Sequence, residues 1–269
     1  MKRLNFDDVS LAFEDRGHGM PLLCIHGYPL NRLIWQDQWE NLDDIARLIV
    51  PDLRGHGDSS GAPGGEAAVA PYGMELFADD CLRLLDHLNV PRALVCGLSM
   101  GGYVAFALLR RAPQRVAGLI LTATRARPDS PEAKENRLKA VELLRREGVP
   151  AIVDSMLPRL LSPATFAAKH GLVQRVKQIM LSSSPASLEA DLLGMRDRQD
   201  STALLPGVTA PALILMGKDD VFIPLAEAEE MLRLLPNARL ELIPNAAHLP
   251  NMEQPELFNQ HVRDFIRAL

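Results

Sequence analysis

Six short apolar runs, rich in Val, Ile and Leu and bounded by turn residues, recur along the chain. They are PLLCI (21–25), ARLIV (46–50), RALVC (92–96), AGLILT (117–122), PALILM (211–216) and ARLELI (238–243). Runs this short with no polar alternation suit strands buried on both faces, as in a parallel sheet covered by helices. Two earlier segments, RLNFDD and VSLAFED, read as an antiparallel opening ribbon. Helical patterns separate the runs. In MELFADDCLRLLDHL, Phe77, Cys81, Leu84, Leu85 and Leu88 share one face; after Pro255, Leu257, Phe258, Val262, Phe265 and Ile266 do the same. Strands alternating with helices predict a right-handed, doubly wound α/β sheet.

The alternation stops between about Ala123 and Ser201, where helices are expected over 131–147, 149–161, 164–181 and 186–198. Pro150, Pro158, Pro163 and Pro185 punctuate this stretch. The expected organisation is therefore an α/β core of 1–122 and 201–269, with a helical insertion of 123–200. The Gly/Pro/Ala-rich segment GAPGGEAAVAPYG (61–73) reads as a mobile loop.

Composition narrows the function classes. The 269 residues carry 47% hydrophobic and 23% charged side chains and a net charge of −5, as in an ordinary folded globular protein. No basic run points to nucleic acid, and no apolar stretch reaches the ~18 residues of a membrane span. The N-terminus MKRLNFDDVS lacks the apolar stretch of a secretory signal. Cys24, Cys81 and Cys96 show no metal-ligand spacing and sit in apolar contexts, so buried free thiols and a cytoplasmic location are expected.

Gly97-Leu98-Ser99-Met100-Gly101 fits G-x-S-x-G directly between the strand RALVC and the helical run GGYVAFALLRR. A serine exposed on that strained turn needs small neighbours two residues away on each side, and glycine supplies them. Its hydroxyl is a weak nucleophile without a base, and the base needs an orienting carboxylate. In a strand–elbow architecture the acid and then the histidine follow the serine. His248 and His261 both lie beyond PALILM; His261 falls on the amphipathic terminal helix. His248, in the loop PNAAHLPNMEQP after the last strand, is the expected base. For the acid, Asp219 and Asp220 are adjacent and spacing does not choose between them; Asp129 is a weaker third option. Two backbone N–H groups must also meet the developing oxyanion. Met100 follows the serine at a helix start, and Tyr28 follows His26-Gly27 after the strand PLLCI. His26 precedes the serine and reads as structural.

HGYP after a strand, DLRGHGDS (52–59), GLSMGG, GKDDVFIP (217–224) and AAHLPNMEQPELF (246–258) together resemble the α/β-hydrolase superfamily. The narrower similarity is to its serine carboxylesterase and 3-oxoadipate enol-lactonase-like group. The resemblance implies a mostly parallel eight-stranded sheet flanked by helices, with an inserted helical cap over the site. The family's G-x-x-D-x-x-x-P segment maps onto Gly217, Asp220 and Pro224, and so selects Asp220 as the acid. His56, Ser59 and Ser60 in the RGHGDS loop are implied to be architectural.

The expected activity is hydrolysis of a small carboxylic ester or lactone through Ser99, His248 and Asp220, with no cofactor or metal. A perhydrolase or haloperoxidase and a carbon–carbon bond hydrolase are alternatives in the same fold, although Leu98 stands where haloperoxidases carry an aromatic residue. A ligand sensor that has lost turnover is the alternative outside enzymes. In the insertion, Met156, Leu157, Leu160, Leu161, Ile179, Met180, Leu181 and Met195 could line an acyl pocket or pack the insertion down. Arg125, Arg127 and Arg159 stand unranked as anchors for a substrate carboxylate.

Overall fold

The computed structural model describes residues 1–61 and 70–269. Most of the segment read as a mobile loop over 61–73 lies outside the described residues. Eight strands form one sheet: β1 (Lys2–Asn5), β2 (Ser10–Gly17), β3 (Met20–Ile25), β4 (Ala46–Pro51), β5 (Ala93–Leu98), β6 (Val116–Thr122), β7 (Ala212–Gly217) and β8 (Ala238–Ile243). Their order is β1-β2-β4-β3-β5-β6-β7-β8. β2 runs antiparallel to β1 and β4, and the remaining pairs are parallel. The sheet is thus mostly parallel, as the apolar runs predict, and has the eight strands that the resemblance implies.

β5 and β7 are buried at every position, as two-face burial requires. β8 departs from that expectation. It is the edge strand, and five of its six residues are only partly buried. Cys24 lies opposite Cys96 in the β3–β5 register, and the three thiols are free and buried.

The α-helices are α1 (Gln36–Trp39), α2 (Met74–His87), α3 (Met100–Arg111), α4 (Pro131–Glu147), α5 (Val149–Leu160), α6 (Pro163–Ala168), α7 (His170–Leu181), α8 (Pro185–Arg196), α9 (Leu225–Leu234), α10 (Pro250–Glu253) and α11 (Pro255–Arg267). Phe77, Cys81, Leu84 and Leu85 of α2 and Phe258, Val262, Phe265 and Ile266 of α11 are buried, as their spacing predicts. α4 to α8 fill the stretch between β6 and β7. Where one helix is expected over 164–181 there are two. The chain leaves helical geometry at Lys169 (φ −117°, ψ 53°), whose ammonium reaches the carbonyl of Glu253. Among the described residues, no helix is long and apolar enough to cross a membrane.

The strand order fixes where a site can form. β4 lies on one side of β3 and β5 on the other, so the connections diverge between β3 and β5. The crevice beyond the carboxyl ends of two such strands is where open α/β sheets bind ligands. Tyr28 follows β3 and Ser99 follows β5.

Candidate active site

Ser99 occupies the single position between β5 and α3 with φ 55° and ψ −113°. A non-glycine residue held there costs roughly 1–3 kcal/mol and persists only when its surroundings enforce it. Three bonds do so. The Ser99 N–H donates to the Thr122 carbonyl over 2.9 Å, and its own carbonyl accepts from the Gly102 N–H (2.9 Å) and the Thr124 hydroxyl (2.8 Å). The start of α3 is pressed against β3, since a Cβ on Gly101 would lie 2.2 Å from the Ile25 oxygen.

The loop after β3 closes on the same point. A Cβ added to Gly27 would sit 3.1 Å from the Ser99 Cβ, which places Tyr28 beside the elbow. Among the described residues, neither the Tyr28 nor the Met100 N–H has an acceptor. The Tyr28 ring is buried, and burial together with the nearby Asp191 pushes its hydroxyl above the ordinary range. Met100 is wholly buried. His26 braces the loop: its Nδ1–H donates to the Gly27 carbonyl over 3.0 Å and its Nε2 accepts from the Leu53 N–H over 3.0 Å. Burial, reinforced by neighbouring His56, depresses its pKa and keeps it neutral.

Asp220 lies in the turn after β7. Its Oδ1 accepts from the N–H groups of Phe222 (2.8 Å) and Ile223 (3.1 Å), which leaves Oδ2 for His248 Nδ1 at 2.9 Å. Burial alone would raise this carboxyl, but His248 and the two N–H groups outweigh it and hold it below the usual range. The approach needs Gly217, where a Cβ would meet the Ala247 oxygen at 2.0 Å. With Nδ1–H committed to Asp220, Nε2 is the basic nitrogen of His248. The imidazole also packs on Phe222, with ring centroids 5.2 Å apart.

Tyr28, Ser99 and His248 open onto one cavity of about 90 Å3. The other residues considered from sequence lie elsewhere. Asp219 is exposed beside Asp220. Asp129 is buried among Arg125, Arg137 and Arg198. His261 sits on α11 with Nδ1 4.0 Å from Glu241. His56 is fully buried against Asp191 of α8 at 2.8 Å, while Ser59 and Ser60 bond to backbone of β2 and β4 or its flanks, so all three tie the loop together.

Met156, Met195, Phe222 and Ile223 form the apolar wall of the cavity. Of the eight insertion residues considered, only Met156 and Met195 line it; Leu157, Leu160, Leu161, Ile179 and Met180 pack in the core, and Leu181 packs partly buried against it. Arg125 reaches the cavity, whereas Arg127 pairs with Glu230 at the surface and Arg159 covers the Phe222 ring at 4.4 Å.

Three residues of the site escaped the sequence reading. Tyr103, four positions after Ser99 and so on the same face of α3, lines the cavity, and so does Arg137 of α4. Glu253 stands beneath the histidine loop. Its Oε1 accepts from the Ala247 N–H (2.7 Å), and its Oε2 accepts from the Ser162 N–H (2.6 Å) and the Thr165 hydroxyl (2.7 Å). Spacing from Ser99 could have found Tyr103; no local signal marks the other two.

Residues 22–261 match the Alpha/beta hydrolase family. The structure superposes with TM-score 0.94 on a thermophilic esterase from Thermogutta terrifontis with malate bound, at 45% identity, covering 100% of this chain and 99% of the other. A 3-oxoadipate enol-lactonase of Acinetobacter baylyi is 27% identical over 96% of this chain and 94% of its own length. A pimeloyl-[acyl-carrier protein] methyl ester esterase of Nitrosomonas europaea is 31% identical over 93% of this chain and 97% of its own.

Proposed function

The chain belongs to the Alpha/beta hydrolase family, and on that premise we propose that it hydrolyses small carboxylic esters or lactones, with Ser99 as nucleophile, His248 as general base and Asp220 as the orienting acid. The observation that carries this reading is the 2.9 Å contact between His248 Nδ1 and Asp220 Oδ2 at the rim of the cavity that Ser99 shares. His248 Nε2 takes the Ser99 proton as the oxygen attacks the carbonyl carbon. The N–H groups of Tyr28 and Met100 receive the charge that builds on the carbonyl oxygen. The imidazolium, stabilised by Asp220, returns the proton to the departing alcohol oxygen, and the acyl group stays on Ser99. Water then repeats the sequence, giving the acid and restoring the serine. The relatives named as esterases and as an enol-lactonase support the substrate class.

The helices of 123–200 are, in this reading, a cap that supplies Met156 and Met195 to the pocket. An active-site-directed fluorophosphonate, followed by mass mapping of the label beside a panel of aryl esters and lactones, tests the proposal. Labelling at Ser99 with turnover that disappears in Ser99→Ala is expected. Turnover that survives Ser99→Ala would overturn it.

A further inference from the structure

The cavity that Ser99 and His248 share is also lined by two guanidinium groups, those of Arg125 and Arg137, each about one-fifth exposed (20% and 21%). A single carboxyl organises them. Asp129, its side chain fully buried, accepts from Arg137 Nε at 3.0 Å, from Arg125 Nη2 at 3.3 Å and from Arg198 Nη1 at 2.7 Å. Burial works against charge on Asp129, yet Arg137 and Arg198 outweigh it and hold the carboxyl below the usual range.

The three arginines are not equivalent. Arg198 also donates through its terminal nitrogens to the carbonyls of Met195 and Arg127 and lies 4.1 Å over the Tyr103 ring, so both terminal nitrogens are engaged within the protein and only its buried Nε lacks an acceptor among the described residues. Arg137 bonds through Nε, and among the described residues its two terminal nitrogens have no acceptor. Arg125 has Glu227 at 4.0 Å from Nη1, and its Nε is buried without a partner. Other acids near the cavity are engaged: Asp220 holds His248, and Asp191 holds His56. Two carboxyls, Asp129 and the more distant Glu227, do not neutralise three guanidiniums, and beside Tyr103 the remaining wall, of Met156, Met195, Phe222 and Ile223, is apolar. Guanidinium groups in such surroundings are left short of partners until a ligand brings an anion.

We propose that this cavity contains a carboxylate subsite, with Arg137 as its principal anchor and Arg125 as its second, so that the substrate is an ester or lactone carrying a free carboxylate. The subsite rests on the hydrolase reading only for the identity of the bond that is cleaved. A planar guanidinium with two free nitrogens matches a carboxylate in bidentate fashion, which an ammonium does not. A neutral ester of equal length would leave the terminal nitrogens of Arg137 without an acceptor, and a site built for a polar group rejects the analogue that lacks it.

The test compares methyl hemiesters of succinate, glutarate and adipate with their dimethyl diesters, and acetyl esters of hydroxy acids with those of the matching diols. In parallel, calorimetry reads binding of the free dicarboxylates to the wild type and to Arg137→Gln and Arg137→Lys. The best anionic ester should exceed its neutral counterpart in kcat/KM by about tenfold or more, mostly through KM, as for a hydrogen bond between charged groups. In Arg137→Gln that ratio should collapse towards one and dicarboxylate binding should weaken by a similar factor, with Arg137→Lys between. Equal turnover of charged and neutral esters, with dicarboxylate binding absent or unchanged in Arg137→Gln, overturns the subsite and leaves the hydrolase standing. Dicarboxylate binding that depends on Arg137, without turnover of any ester, upholds the subsite and overturns the hydrolase instead.

Discussion

Asp220 divides its two carboxyl oxygens: Oδ2 faces His248 Nδ1 at 2.9 Å, and Oδ1 is held by the backbone N–H groups of Phe222 and Ile223. The carboxyl is thereby fixed in orientation before any substrate arrives. In Asp220→Asn the side-chain amide cannot accept at both positions, so the imidazole loses its tautomer control. A fall in kcat of about 10³–10⁴ is expected. Among the described residues, exposed Asp219 makes no comparable contact, and Asp219→Asn should stay within about twofold of wild type. Steady-state kinetics on one aryl ester decides the matter, and reversed effects would reassign the acid.

Glu253 makes a prediction about both stability and rate. Three donors converge on its buried carboxyl, one of them the N–H immediately before His248. Glu253→Gln turns an NH2 group towards at least one of those donors. The expected cost is about 2–3 kcal/mol, which for a chain of this size is a drop in Tm of about 5–10 °C. kcat should fall with it, because the loop that carries the base is loosened. A thermal melt unchanged from wild type would remove Glu253 from this role.

The elbow is predicted to be intolerant of a single methyl group. Gly101→Ala would place a Cβ 2.2 Å from the Ile25 carbonyl oxygen, a backbone atom that moves only with β3. The expected loss is about 3 kcal/mol or more. Gly171→Ala, at an exposed position of α7 with nothing within 4 Å, should instead stabilise by about 0.5–1 kcal/mol. Denaturant unfolding of the two variants measures the contrast.

Asp129 links stability to pH. Its carboxyl titrates below the ordinary 3.8 because Arg137 and Arg198 outweigh burial, so folding favours the ionised form. That contribution is complete above the unfolded value near 3.8 and is lost as pH falls through the depressed folded value. Asp129→Asn should cost about 3 kcal/mol at neutral pH, since it strands buried charge. The gap between variant and wild type should narrow below about pH 4. Melting curves from pH 3 to 8 read it directly.

How much of this was legible in the sequence differs from residue to residue. The buried strands announce themselves because two-face burial leaves no room for polar alternation, and β5 followed by GLSMGG marks the elbow. ARLELI read as another interior strand because its residues are apolar enough; that it lies at the edge is a property of sheet order. His248 followed from its place in the loop after the last strand, since His261, also beyond β7, falls on the terminal helix. The choice of Asp220 over Asp219 needed the resemblance, since only the turn's geometry distinguishes the two side chains. Arg137 was hidden in the highly charged helix PEAKENRLKAVELLRRE, where it looks like any solvated cation. Asp129, eight residues earlier, singles it out, and only in three dimensions. Glu253 likewise passes for a polar residue of the MEQP turn until Ser162 and Thr165 are brought to it from far along the chain.

The junction of α5 and α6 is fastened to the loop that carries the base. The His248 N–H donates to the Leu160 carbonyl over 3.1 Å, and Glu253 grips Ser162 from the other side. A hinge at this corner would have to displace the imidazole, so breathing that admits a reactant has to come from elsewhere around the pocket. Grafts that exchange α4 can therefore reshape selectivity without unseating the base, whereas exchanging the α5–α6 corner alters the chemistry itself.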